Sequence, residues 1–165
     1  MASRKKSTTG LSHVDTKGRV KMVDVGDKPE TDRAASAAAE IRVNRETLKA
    51  VRAGTVKKGD PLQIARIAGI MAAKRTADMI PLCHPLALSH VDIVITPKAW
   101  GYALVSTVRT RGRTGVEMEA LAAVSVAALT IYDMLKAMDR GMTIDRVRVI
   151  EKRGGQSGHY QRRGR

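Results

Sequence analysis

The 165-residue chain predicts a single layered α+β domain, with helices packed on one face of a mainly antiparallel sheet. Three observations carry this. Residues 114–141 read as one long apolar helix. Residues 61–79 read as a second helix behind a strong start signal. Stretches of alternating apolar residues near 34–43, 87–96, 102–109 and 142–151 read as strands. The length suffices to bury about two thirds of the unfolded surface in one core, and no internal repeat breaks the order.

In chain order, residues 1–10 form a polar, basic tail expected to be disordered, and residues 11–33 scatter short apolar pairs among turn formers, an extended lead-in. Within 34–43, alanine favours helix, yet Ala35, Ala37, Ala39, Ile41 and Val43 alternate as one strand face; the strand is the better reading. Asn44 can cap a short helix through about Ala53, ended by Gly54. Asp60, Pro61 and Gln63 supply an N-cap, a first-turn proline and a capping-box partner for the helix that runs to about Met79. The PLCHP loop (81–85) then holds His84 between two prolines, each with a fixed backbone angle.

Two strands joined through residues 98–101 predict a hairpin. In the long helix, Thr114 and Glu117 have capping-box spacing and Gly141 sits where a helix commonly stops. Leu121, Val124, Ala128, Ile131 and Leu135 recur at three- and four-residue steps, one buried face. A last strand over 142–151 leads into the glycine-rich run 152–158, and residues 159–165 close the chain as a second basic tail. The domain proper is thus 11–158.

The net charge of +14 invites a nucleic-acid reading, but its placement weakens it. Arg4, Lys5, Lys6, Arg162, Arg163 and Arg165 sit in the two ends, so +14 less 6 leaves +8 for the body. That body has no Phe, one Trp and two of the three Tyr, too few to stack single-stranded bases. A small polyanion fits better than a specific nucleic acid. The lone Cys83 excludes an intrachain disulfide. No apolar run approaches the roughly 20 residues that span a bilayer, and no apolar stretch follows the basic start. The expected compartment is the cytoplasm, with no membrane partner.

Candidate chemistry sits on a few ionisable groups. Asp133 and Lys136 are helix-face neighbours; an exposed ion pair worth a few tenths of a kcal/mol explains them structurally, but Asp133 lies where the helix dipole disfavours a carboxylate. Glu117 and Asp60 have sufficient explanations as helix-start residues. Glu119 has none, and lies about 21 Å from Asp133 along the axis at 1.5 Å per residue. One small reacting centre cannot touch both from one helix, so either a long ligand spans them or two subunits share each site. Lys152 with Gly154 and Gly155 forms a turn able to offer N–H groups to an anion, and Lys58 precedes a helix N-terminus. Lys74 and Arg75, near the end of the second helix, are further cations for the same anion. His84, His90 and Asp92 match no metal-ligand spacing, and there is no P-loop.

Seven blocks in order, MVDV (22–25), KKGDPL (57–62), ARIAGIMAAKRT (65–76), IPLCHPL (80–86), GRTGVEMEAL (112–121), AALTIYDMLKA (127–137) and KRGGQSG (152–158), resemble the cyclic pyranopterin monophosphate synthase family, the C component of molybdenum cofactor biosynthesis. The resemblance covers roughly residues 11–160. It implies a ferredoxin-like subunit in a hexamer built as a trimer of dimers, with active sites at a dimer interface. It also implies conversion of (8S)-3′,8-cyclo-7,8-dihydroguanosine 5′-triphosphate to cyclic pyranopterin monophosphate, with release of diphosphate. By that pattern Asp133 and Lys136 lie at the catalytic centre, Leu82, Cys83, His84, Met118 and Glu119 contact substrate, and Lys58 and Lys152 are catalytic or phosphate-binding. No cofactor of the protein's own is implied; Mg²⁺ would come only with the triphosphate. Two other readings are a basic RNA-associated module and a silent homologue that binds nucleotide triphosphates. Diphosphate release from the cyclic intermediate separates the enzyme from both.

Overall fold

The computed structural model describes residues 18–163; the expected tail at 1–10 and Arg165 lie outside them. β1 (Thr31–Arg42) is the strand chosen over helix for the alanine-rich stretch. It leads into α1 (Arg45–Arg52), where the Asn44 side chain accepts from the Thr47 N–H as its cap. α2 (Pro61–Lys74) starts as its sequence predicts, with the Asp60 carboxylate accepting from the Leu62 and Gln63 amides. It stops five residues short of the expected Met79. The Thr76 hydroxyl donates to the Ala72 and Ala73 carbonyls, and a separate turn, α3 (Thr76–Met79), follows.

β2 (Leu88–Lys98) and β3 (Gly101–Gly112) form the expected hairpin. β4 (Thr143–Arg153) follows α4 (Glu117–Leu135), and β5 (Tyr160–Gln161) pairs with Glu151 and Lys152. The order across the sheet is β2-β3-β1-β4-β5, and every pair is antiparallel. The split arrangement, with β1 between β3 and β4, is the ferredoxin-like one. The sheet therefore reaches two residues into the segment read as a basic tail.

The core lies between one sheet face and the α2–α4 layer. Ala35, Ala37, Ala39 and Ile41 of β1 and Leu104 and Val108 of β3 are buried against Ala120, Val124, Ala127, Ala128 and Ile131 of α4. Small side chains on both surfaces let helix and sheet approach closely. Gly69 does the same between α2 and α4: a Cβ there would run into the Ile93 side chain and the Ala123 carbonyl. The buried Ser106 hydroxyl donates to the Ala120 carbonyl at 2.7 Å, which ties β3 to the start of α4.

α4 departs from its predicted ends. No side chain caps its start: Val116 occupies the cap position and Glu117 is the first helical residue, turned toward Lys152 instead of back to the cap amide. The helix ends at Leu135, six residues before Gly141, because Asp139 takes over the following chain. Its carboxylate accepts from the Asn44 amide at 2.7 Å and from the Gly141 amide at 2.9 Å, a fixed turn where a helix would continue. α4 is also long and apolar enough in composition to cross a membrane, contrary to the sequence reading. Its burial against the sheet and α2 makes it the core helix of this domain instead.

Candidate functional site

Most of the residues singled out from the sequence fall into two groups, one at each end of α4. At its C-terminal end, Lys136 Nζ lies 2.8 Å from Asp133 Oδ1, and Lys58 Nζ lies 3.4 Å from Asp133 Oδ2. Lys58 also donates to the Asp133 main-chain carbonyl at 2.9 Å, so the loop before α2 is tied to the last turn of α4. The hydrogen bond and charge of Lys136, then those of Lys58, hold the Asp133 carboxyl below its ordinary range; Asp133 in turn pushes Lys136 up. The two ammonium groups answer the dipole problem noted for Asp133. All three side chains are about half exposed in the single chain.

At the N-terminal end lies a cavity of about 300 Å³. Leu82, Cys83 and His84 form one wall, Met118 and Glu119 a second, and Val23 and Val25 a third. His84 Nε2 donates to the Val23 carbonyl at 2.8 Å, which fixes its tautomer and leaves Nδ1 as the free ring nitrogen. The proline-flanked loop is thus clamped by the lead-in segment as well. Glu119 is 4% exposed. Burial raises its proton affinity, its own backbone N–H opposes this, and the Glu117 charge adds to it. Burial and the Glu119 charge together push the Cys83 thiol up, so it is no ready nucleophile.

A second cavity, about 360 Å³, shares the walls of Lys28, Thr114, Gly115 and Glu117 with the first. Its other walls are polar: Arg33, Arg113, Lys152, Gln156 and Ser157. Lys152 Nζ sits 3.7 Å from Glu117 Oε1 and hydrogen-bonds the Ser157 hydroxyl. Arg33 donates to the Gly112 and Arg113 carbonyls, and Arg113 donates to the Gly26 carbonyl, so both guanidinium groups are held in place. The pair of cavities makes one cleft, half apolar at the His84 end and strongly cationic at the other, within the size range of small-molecule sites.

The predicted residues divide accordingly. Leu82, Cys83, His84, Met118 and Glu119 share the first cavity and Lys152 lines the second. Gly154 and Gly155, at φ 90° and 74°, form the turn behind Lys152 but line neither cavity. Lys74 and Arg75 are exposed at the end of α2, outside both. Asp133, Lys136 and Lys58 stand together at the far end of α4. Sequence reasoning missed Lys28, Arg33 and Arg113, isolated cations on no periodic face, and passed over Glu117 as a cap residue. Among the described residues no three of His, Cys, Asp and Glu gather as a metal-ligand set.

The family model described as the MoaC family matches residues 22–155. The chain belongs to the MoaC family. Among similar proteins is one of Thermomicrobium roseum named cyclic pyranopterin monophosphate synthase, 56% identical over 92% of this chain and 93% of its own. Proteins of the same name in a Nostoc species and in Novosphingobium aromaticivorans are 54% and 57% identical, over 94% and 92% of this chain and 94% and 96% of theirs. The resemblance read in the seven blocks is therefore shown, and these relatives of the MoaC-family chain are enzymes. The family match takes in both ends of α4 and both cavities, apart from Gln156 and Ser157.

Proposed function

We propose that this chain is a cyclic pyranopterin monophosphate synthase of molybdenum cofactor biosynthesis, acting in the cytoplasm without a cofactor of its own. It rearranges (8S)-3′,8-cyclo-7,8-dihydroguanosine 5′-triphosphate and releases diphosphate. The observation that carries this reading is the cleft beside His84: a partly apolar pocket with a buried carboxyl, joined to a cationic one. The first suits the guanine-derived ring system. The second suits a triphosphate of about four negative charges and stabilises diphosphate as it leaves.

The ring rearrangement needs proton transfers, and the cleft of a single chain offers mainly Glu119, His84 and Lys152 for them. Asp133 with Lys58 and Lys136 forms a compact acid/base group, yet it lies about 21 Å away by the rise of α4. Both groups serve one reaction if the chain is a symmetric homo-oligomer in which the Asp133 end of one copy faces the His84 cleft of another. A hexamer built as a trimer of dimers satisfies this. Asp133, held ionised between two ammonium groups, positions the lysines, and Lys58, Lys136 and Lys152 carry the protons.

The test is diphosphate release from the cyclic triphosphate by the purified chain. Turnover with formation of the cyclic monophosphate product supports the reading; a chain that binds the triphosphate and releases nothing sinks it.

A further inference from the structure

Beyond β4 the chain turns through Gly154, Gly155 and Gly158, all at positive φ, and returns as the two residues of β5. So short a strand is marginal by itself. Its main-chain anchors are the pairing of Lys152 with Tyr160 and of Glu151 with Gln161, and the Arg162 N–H that donates to the Ile150 carbonyl at 2.9 Å. Side chains add to these from both sides of β4, because successive residues of a strand point to opposite faces. On the helix side Lys152 donates to the Ser157 hydroxyl, in the cationic cavity. On the open side Glu151 Oε1 accepts from His159 Nε2 at 2.9 Å and from Arg153 Nη2 at 2.7 Å. Arg153, then His159, hold the Glu151 carboxyl below its ordinary range, so it stays an acceptor at neutral pH. His159 lies in the segment read as a basic tail and beyond the residues 22–155 of the family match.

We propose that His159 and Glu151 are positioning residues: their bond seats the glycine-rich turn, the turn presents the Ser157 hydroxyl, and Ser157 fixes the direction of the Lys152 ammonium in the cleft. This deepens the functional reading above, which gives Lys152 a part in proton transfer, and its kinetic consequence rests on that reading. A lysine ammonium on its flexible stem needs a partner of defined geometry to meet a reacting atom. Glu117, 3.7 Å from Lys152, supplies charge from beyond hydrogen-bond distance; the Ser157 hydroxyl supplies direction. The seat of that hydroxyl is decided on the opposite face of the sheet, at a histidine that is itself half exposed and far from any buried packing.

The experiment is acetylation of the substrate-free full chain, with labelling of Lys152 read by peptide mass spectrometry against the exposed Lys49, alongside diphosphate release from the cyclic triphosphate. The variants are Ser157→Ala, His159→Ala, both together, and His159→Gln. Ser157→Ala and His159→Ala should each speed Lys152 labelling by about fivefold, the worth of one hydrogen bond. The double variant should label no faster than either single one, because both act along one path. His159→Gln, whose amide N–H can still reach Glu151, should stay within about twofold of wild type. In turnover, His159→Ala should lower kcat by about tenfold and leave KM within about twofold. Unchanged Lys152 labelling in His159→Ala, effects that multiply in the double variant, or a raised KM with kcat unchanged overturns the assignment. A wild type that releases no diphosphate, in a series whose Lys152 labelling follows the expected pattern, keeps the positioning of Lys152 and ends the synthase reading.

Discussion

Asp133 gains its position from two lysines, and they explain what it can do. A carboxylate held below its ordinary range by Lys136 and Lys58 is a poor proton donor at neutral pH, but a good anchor for ammonium groups that must meet a substrate. Asp133→Asn keeps the shape and loses the anchor. Thermal unfolding should shift by no more than a few degrees, because the group is exposed, while kcat for diphosphate release should fall by about 100-fold or more. Glu119 behaves in the opposite sense. Its folded-state proton affinity lies above the unfolded one, so its neutral form is favoured by folding. The domain is therefore relieved of that burden below the unfolded pKa, and loses stability as pH rises from there through the folded pKa. Urea unfolding of Glu119→Gln should match wild type in acid and exceed it at neutral pH; a constant difference at every pH would remove the buried-carboxylate account. Legibility at this scale was uneven. Asp133 and Glu119 stood out as charges on an apolar helix, and His84 as a histidine between prolines. Glu117 and Lys28 did not, because a spacing rule already explained one and nothing in the pattern marked the other.

At the scale of elements, α4 organises the molecule and its two ends carry the two halves of the proposed site. Its apolar face was readable from residue spacing, as were the start of α2 at Asp60 and the cap of α1 at Asn44. Those signals are local, decided by side chains within three residues of the backbone they satisfy. The ends of α4 were misread because the deciding partners are distant in sequence: Lys152 draws Glu117 away from the cap, and the amide of Asn44 engages Asp139 where the helix was expected to continue. The close packing of α2 on α4 rests on Gly69. Gly69→Val should destabilise by about 1–3 kcal/mol or more through overpacking against Ile93 and the Ala123 carbonyl, seen as a lower urea midpoint with little change in m. A neutral Gly69→Val would mean that the two helices are free to move apart.

For the whole molecule, hydrophobic alternation revealed a layered α+β domain, and the five-stranded sheet adds only the small β5 edge, whose two residues carry no periodicity to read. The cleft was not readable as a cavity, since Val23 and Lys28, His84, Glu119 and Lys152 come from four separate segments. Their convergence depends on strand order and not on local pattern. The same folding leaves Lys58, 75 positions from Asp133, in contact with it. These two belong to one half of the proposed site, whereas His84 belongs to the other. Subunit exchange between inactive variants tests this directly. If each site takes its Asp133 end from one copy and its His84 cleft from another, randomly mixed Asp133→Asn and His84→Ala chains assemble about a quarter of their sites from two intact halves. The mixture should then recover about that share of wild-type diphosphate release, while a mixture of Lys58→Ala with Asp133→Asn stays inactive. No recovery in the first mixture, or equal recovery in both, would contradict a site shared between chains.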